Sequence, residues 1–163
     1  MIVRKARVSD GRKMAEINVL CWHITYKGLF SDSFLNDMQV TDKRVANFER
    51  YIQERGCVLV AEENHQVVGY LMAGKGTNDK IPLSYEIYGL YVDPNSQRKG
   101  AGTALMNAFK KEIGNAGFYL YVAKGNQPAK CFYEKMGLKA APEYDMDHIF
   151  REEKMPCVAF LFK

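Results

Sequence analysis

The stretch VDPNSQRKGAGTALMNAF, residues 92–109, constrains this chain more than any other. The apolar, aromatic-rich run from Tyr85 to Val92 stops at Asp93-Pro94, because proline has no amide proton for a sheet ladder. A helical stripe follows, with Ala104, Leu105, Ala108, Phe109 and Ile113 on one face. The connection Gln97-Arg98-Lys99-Gly100-Ala101-Gly102 therefore joins strand to helix with almost no linker. Residues without Cβ let the backbone approach a ligand closely. The first amides of a helix lack intrahelical partners, and the macrodipole favours negative charge there. With Arg98 and Lys99 beside them, these residues read as a cradle for an anion, most naturally a phosphate. They read equally as a glycine-rich helix entry with two solvated cations.

Two other phosphate patterns fail. Gly69 to Gly76 nearly spells GxxxxGK[ST], but Gly76 offers no hydroxyl for magnesium, residues 69–73 read as strand, and no helix follows. The dinucleotide pattern GxGxxG needs a glycine where Leu105 stands.

Around this stretch the chain alternates irregularly between strands and helices. Ile2 to Val8 reads as a strand, and Ser9-Asp10 as the cap of a helix with Met14, Ile17, Cys21 and Ile24 on its inner face. Ser31 caps a short helical turn, and Thr41 opens a helix that carries Val45, Phe48 and Ile52. Residues 57–63 and 66–74 form a hairpin about Asn64-His65. After the central helix come the strand FYLYVA, a short helix begun by Asn126-Gln127-Pro128, and a tail whose clearest strand is PCVAFLFK. The hairpin within this alternation indicates an α+β (mixed α/β) sheet rather than a doubly wound one. At 163 residues, positions 1–163 are expected to form a single domain.

Composition excludes several classes. Apolar residues at 47% and charged residues at 26% are ordinary globular values. A net charge of +4 with no basic run gives no expectation of nucleic-acid binding. No apolar run suits a signal peptide or a membrane span, so a soluble cytoplasmic protein without membrane contact is expected. Cys21, Cys57, Cys131 and Cys157 lack metal-ligand spacing and read as buried free thiols; no metal site is expected.

A second block, Asn126-x-x-Ala129-x-x-Phe132-Tyr133-Glu134-Lys135-Met136-Gly137-Leu138, stands at the next helix start. Together, Gln97-x-x-Gly100-x-Gly102 and this block resemble the GCN5-related N-acetyltransferase (GNAT) superfamily, whose motifs read [QR]xxGx[GA] and NxxAxxFYxKxGF. The resemblance covers most of the chain; Leu138 replaces the usual phenylalanine. It implies a GNAT-like, mostly antiparallel twisted sheet of about six to seven strands with about four helices, splayed at the cofactor strand.

The resemblance also implies chemistry: transfer of an acetyl group from acetyl-CoA to a primary amine of a small molecule or protein, releasing CoA. A non-catalytic acyl-CoA-binding or sensor domain on the same fold is the alternative. Cofactor contacts fall to Gln97, Arg98, Lys99, Gly100, Ala101, Gly102 and Thr103 at the pyrophosphate, and to the backbone of Leu90, Tyr91 and Val92 along the pantetheine arm. Gly89 sits where a bulge could open a slot in that strand. Asn126 reads as a helix cap that also touches the cofactor. Tyr133 is the candidate acid toward the departing sulfur, and packing on Phe132 is its bland reading. Glu86 is the candidate general base, because some family members carry a glutamate at that place in the strand, with His23, Tyr85 and His148 as substitutes. Trp22, His23, Tyr26, Tyr85 and Glu86 are expected to line the acceptor side, where aromatic residues and nearby Asp145 and Asp147 would suit a cationic, polyamine-like acceptor. The tail strand PCVAFLFK could form a homodimer edge or simply be covered.

Overall fold

The computed structural model describes residues 1–54 and 56–163. The chain forms two units, Met1–Ala73 with Gly89–Gly114, and Gly74–Tyr88 with Asn115–Lys163.

In the first unit, β1 (Ile2–Lys5) precedes α1 (Gly11–Thr25), α2 (Asp32–Asp37) and α3 (Asp42–Glu54). Then come β2 (Cys57–Glu63), most of β3 (Gln66–Lys75), the end of β4 (Tyr85–Val92), and α4 (Ala101–Ile113). β2 pairs antiparallel with both β1 and β3, with a register shift at Ala61/Glu62. The β2–β3 turn places Asn64 and His65 at φ 50° and 62°. Two successive left-handed residues match the strand twist of a tight hairpin, and asparagine tolerates that conformation well. Ser31 caps α2 by accepting the Phe34 N–H at 3.1 Å, and Thr41 accepts the Arg44 N–H at 3.1 Å, both as the sequence suggests.

Met14, Ile17 and Cys21 of α1 pack with Val58, Val60, Val67 and Tyr70 of the sheet. Ile24, expected on that face, is 58% exposed instead. It lies in the last turn of α1, beyond the reach of that core. Gly11 lets α1 lie close to α3, since a Cβ there would come within 2.6 Å of Glu49 Cγ.

Asp10 does not cap α1 with its side chain. Its carboxylate accepts the Arg7 N–H at 2.7 Å and two bonds from the Arg4 guanidinium, at 2.8 and 3.1 Å. Arg4 also binds Glu62 at 2.8 Å, tying β1 to β2 and to the entry of α1.

In the second unit, the first half of β4 pairs parallel with β5 (Phe118–Ala123), from Tyr85 opposite Phe118 to Ile87 opposite Leu120. α5 (Gln127–Lys135), β6 (Lys139–Ala140), β7 (Met146–Phe150) and β8 (Glu153–Phe162) follow. β8 pairs antiparallel with β5, β6 and β7. Asn126 caps α5 through the Ala129 N–H at 3.3 Å. Gly117 is required by proximity, because its Cβ would lie 2.9 Å from the Phe162 carbonyl. Ile81, Tyr119, Ala141, Ala159 and Leu161 form the core here.

The described residues thus make a mixed α+β fold of eight mostly antiparallel strands and five α-helices. The additional strands come from the tail, where β6 is two residues long and β7 is mostly exposed. Neither shows a clean alternation in sequence. No helix among the described residues is long and apolar enough to cross a membrane. Of the four free thiols, Cys21 and Cys157 are buried and Cys57 is half-buried, but Cys131 is exposed on α5, contrary to expectation. It occupies the outer face of a helix whose inner face carries Tyr133.

The Arg4–Asp10 pair is expected to make stability pH-dependent. Burial alone would raise the Asp10 carboxyl, but the Arg4 guanidinium and the Arg7 N–H outweigh it and hold Asp10 below its usual value. A carboxyl depressed in the folded state stabilises above its unfolded value, about 3.9, and loses that contribution as pH falls through the lower folded one. Asp10→Asn should therefore lower the unfolding midpoint at neutral pH by roughly 5 °C, corresponding to about 2 kcal/mol. The deficit relative to the native chain should shrink when thermal unfolding is repeated below about pH 3.

Candidate active site

In the first unit, the loop between β4 and α4 is shaped by backbone conformation. Arg98 has φ +61° and Gly100 φ +92°, so two left-handed residues turn the chain into the helix. Gly100 is the N-cap of α4 and accepts the Ala104 N–H at 2.9 Å. A Cβ at Gly100 would meet nothing within 4 Å. Glycine is therefore needed there for its conformation, and the space beside it is open. Ala101 is buried, whereas Gln97, Arg98, Lys99 and Thr103 are exposed. The amides of Ala101, Gly102 and Thr103 open the helix, where intrahelical acceptors are lacking. An open cradle of helix amides with two exposed cations fits a pyrophosphate.

The strand entering this loop is anchored at its end. The Val92 carbonyl accepts the Cys21 thiol at 3.3 Å and the Gln97 side-chain amide at 3.1 Å. Gln97 thus braces the loop against its own strand. The Tyr91 hydroxyl accepts the Trp22 indole N–H at 3.2 Å, and burial raises its proton affinity above that of an ordinary phenol. Leu90 is half-buried. Gly89 leaves room for the Tyr91 ring, since a Cβ would lie 2.7 Å from Tyr91 Cε2. This gives Gly89 a packing role.

Trp22 and Tyr26, expected on the acceptor side, are buried in an aromatic cluster. Their ring centroids are 4.5 Å apart, and Trp22 stacks on Phe30 at 5.6 Å. Phe30 in turn stacks on Phe34 at 4.7 Å. His23 is half-buried, and its Nε2 donates to the Leu35 carbonyl at 2.7 Å, joining α1 to α2.

In the second unit, Glu86 is only 7% exposed. Three donors converge on its Oε2: the Thr77 N–H at 3.0 Å, the Thr77 hydroxyl, and the Tyr119 hydroxyl at 2.9 Å. Tyr119 accepts the N–H groups of Thr77 and Asn78, and the Asn78 side-chain amide donates to the Tyr121 hydroxyl at 2.8 Å. Burial raises the proton affinity of both phenols. Sequence reading missed Thr77, Asn78, Tyr119 and Tyr121. For the two tyrosines the trace was the alternation of FYLYVA, which puts them on one face.

Tyr85, at the start of β4, is half-buried. Tyr133 is buried on α5, with its ring 5.2 Å from Phe132 and 6.3 Å from Phe160. Asn126 is half-buried and engaged as a cap. A cleft of about 380 Å³ in this unit is lined by Lys124, Asp145, Met146, Asp147, Pro156 and Cys157. Asp145 is partly committed to the fold, accepting the Ala159 N–H at 2.9 Å.

Residues 17–138 match the model of the Acetyltransferase (GNAT) family. The chain is 33% identical to "Probable N-acetyltransferase Rv2775" of Mycobacterium tuberculosis, over 82% of this chain and 76% of that one. It is 31% identical to the L-amino acid N-acyltransferase MnaT of Escherichia coli, over 84% of this chain and 78% of MnaT. Its fold is similar to that of the PaiA N-acetyltransferase from Thermoplasma acidophilum in complex with coenzyme A, with a TM-score of 0.71, 20% identity, and coverage of 97% and 96% of the two chains. The chain belongs to the GNAT acetyltransferase family and is an acetyl-CoA-dependent acyltransferase.

The open space at Gly100 separates conformation from crowding. Gly100→Val should lower the unfolding midpoint by several degrees, because a β-branched residue in the left-handed region costs about 1–2 kcal/mol. Gly100→Asn should cost clearly less. Equal losses in a melting experiment would mean that crowding, not φ, demands glycine.

Proposed function

We propose that this acetyltransferase works as a single domain that moves the acetyl group onto a primary amine by direct attack within a ternary complex. A small molecule is the favoured acceptor class. The observation that carries this reading is the left-handed Gly100 cradle at the head of α4, with Arg98 and Lys99 exposed beside it. When bound, acetyl-CoA supplies an acyl group activated as a thioester.

The chain's own residues take four tasks. The backbone from Arg98 to Thr103 holds the pyrophosphate, with Gln97 bracing the loop. The Val92 carbonyl is already doubly engaged, so backbone pairing with the pantetheine arm falls chiefly to Leu90 and Tyr91. Glu86 accepts a proton from the acceptor ammonium, freeing the amine's lone pair. As the nitrogen–carbon bond forms and the carbon–sulfur bond breaks, Tyr133 delivers a proton to the departing sulfur, and the second proton, shed by the new amide nitrogen, restores the phenol. A phenol near 10 is a weak acid for a thiolate whose parent thiol is near 8.5, so local help at Tyr133 is part of this reading.

Relatedness to MnaT, an L-amino acid N-acyltransferase, supports testing free L-amino acids first, then polyamines and peptides. Thermal unfolding with acetyl-CoA, CoA and ATP in parallel tests the cradle. Ligand at about 100 times its Kd stabilises by about 2.7 kcal/mol, which raises the midpoint by roughly 5–10 °C. Both CoA forms should produce this rise and ATP should not; no response to CoA would sink the loop assignment. In the amine panel, Glu86→Gln should lower kcat by about 10²-fold or more while keeping the CoA response. Binding without transfer to any amine would favour a sensor domain.

A further inference from the structure

We infer that Tyr119 is a positioning residue for Glu86: with Thr77 it holds carboxylate oxygen Oε2 and leaves Oε1 as the oxygen that takes the acceptor's proton. This rests on the reading of Glu86 as the general base.

A tyrosine hydroxyl has one proton to donate and two acceptor sites. At Tyr119 the acceptor sites are filled by the backbone N–H groups of Thr77 at 2.7 Å and Asn78 at 2.9 Å. Its single proton is thereby directed to Glu86 Oε2, 2.9 Å away. Backbone amides cannot rotate as side chains do, so the orientation of the loop is passed through the phenol to the carboxylate. The Thr77 hydroxyl also donates to that oxygen, and the Thr77 N–H is shared between it, at 3.0 Å, and the phenol, while no hydrogen bond reaches Oε1 among the described residues. One oxygen is saturated and the other is left for chemistry.

The loop that makes this possible is itself held. The Gly76 N–H donates to the Ser84 carbonyl at 2.9 Å, and Asn78 Oδ1 accepts the Lys80 N–H at 3.0 Å. Gly76 is the residue that spoils the GxxxxGK[ST] pattern, and its role lies here. A Cβ would stand 3.1 Å from both Cε1 and the hydroxyl of Tyr119, so a larger residue would press on the phenol.

The proton step balances without another reactant. An N–H bond of the acceptor ammonium breaks, an O–H bond forms on Oε1, and a neutral amine faces a neutral carboxyl. Within this unit the charge of Glu86 reaches the phenols of Tyr119 and Tyr121 of β5.

The test uses the full chain with its glutamate side-chain carboxyl carbons labelled with ¹³C. The Glu86 resonance is assigned by its loss in Glu86→Gln and then followed by NMR as pH changes. Losing a donor to the ionised form weakens that form. Tyr119→Phe should therefore raise the titration midpoint of Glu86 by about one pH unit relative to the native chain, and Thr77→Val should raise it less. With acetyl-CoA and the amine panel, the acidic limb of kcat should move up alongside it while KM stays. A folded Tyr119→Phe whose Glu86 midpoint is unmoved overturns the inference, since a purely structural role would change only stability. Should Tyr119→Phe fail to fold, an unmoved midpoint in Thr77→Val does the same. Undiminished transfer by Glu86→Gln sinks the base reading and this inference with it. Lost transfer in Glu86→Gln, together with an unmoved Tyr119→Phe midpoint, sinks the inference alone.

Discussion

A left-handed turn at the head of a helix is the constraint on which the first unit's chemistry depends. α4 begins where it does because Gly100 at φ +92° reverses the chain after Arg98 at φ +61°. A residue with a Cβ would hold that conformation only at a cost of about 1–2 kcal/mol. The close spacing keeps the helix amides next to the end of β4. There the Val92 carbonyl ties the Cys21 thiol of α1 and the Gln97 amide of the loop to a single point. Strand end, loop and first helix are thus fixed together, which pre-organises the cradle.

Local chemistry made this part legible in the sequence. Pro94 had to stop a strand, and the glycines marked where the next helix starts. Ser31, Thr41 and Asn126 bind the amides that their positions before helices suggest. Positions fixed by distant packing were not legible. Ile24 fits the helical stripe of α1 yet lies exposed, because periodicity says which face a residue takes and not how far the core extends. Cys131 sits in an apolar-looking helix but on its outer side. The short β6 and the exposed β7 carry too little pattern to be read as strands.

The candidate catalytic groups divide in the same way. Glu86 could be named from the family resemblance, but the donors gathered on its Oε2 come from a loop nine residues before it and a strand thirty-three residues after it. Side chains brought together over such separations leave only faint local marks, here two tyrosines in alternation and a glycine without evident purpose. Trp22 and Tyr26 show the converse. Their aromatic character drew attention as pocket lining, whereas the structure packs both rings against neighbouring aromatics of the same unit.

The uneven burial of the four thiols has a practical consequence. Burial pushes Cys21 and Cys157 up to about 11 and also raises Cys57, so all three hold little reactive thiolate near neutral pH. Cys131 stands exposed on α5, two residues before Tyr133. Maleimide chemistry on the unaltered chain would thus attach a dye or spin label selectively to that helix, providing an optical or magnetic reporter without engineered cysteines.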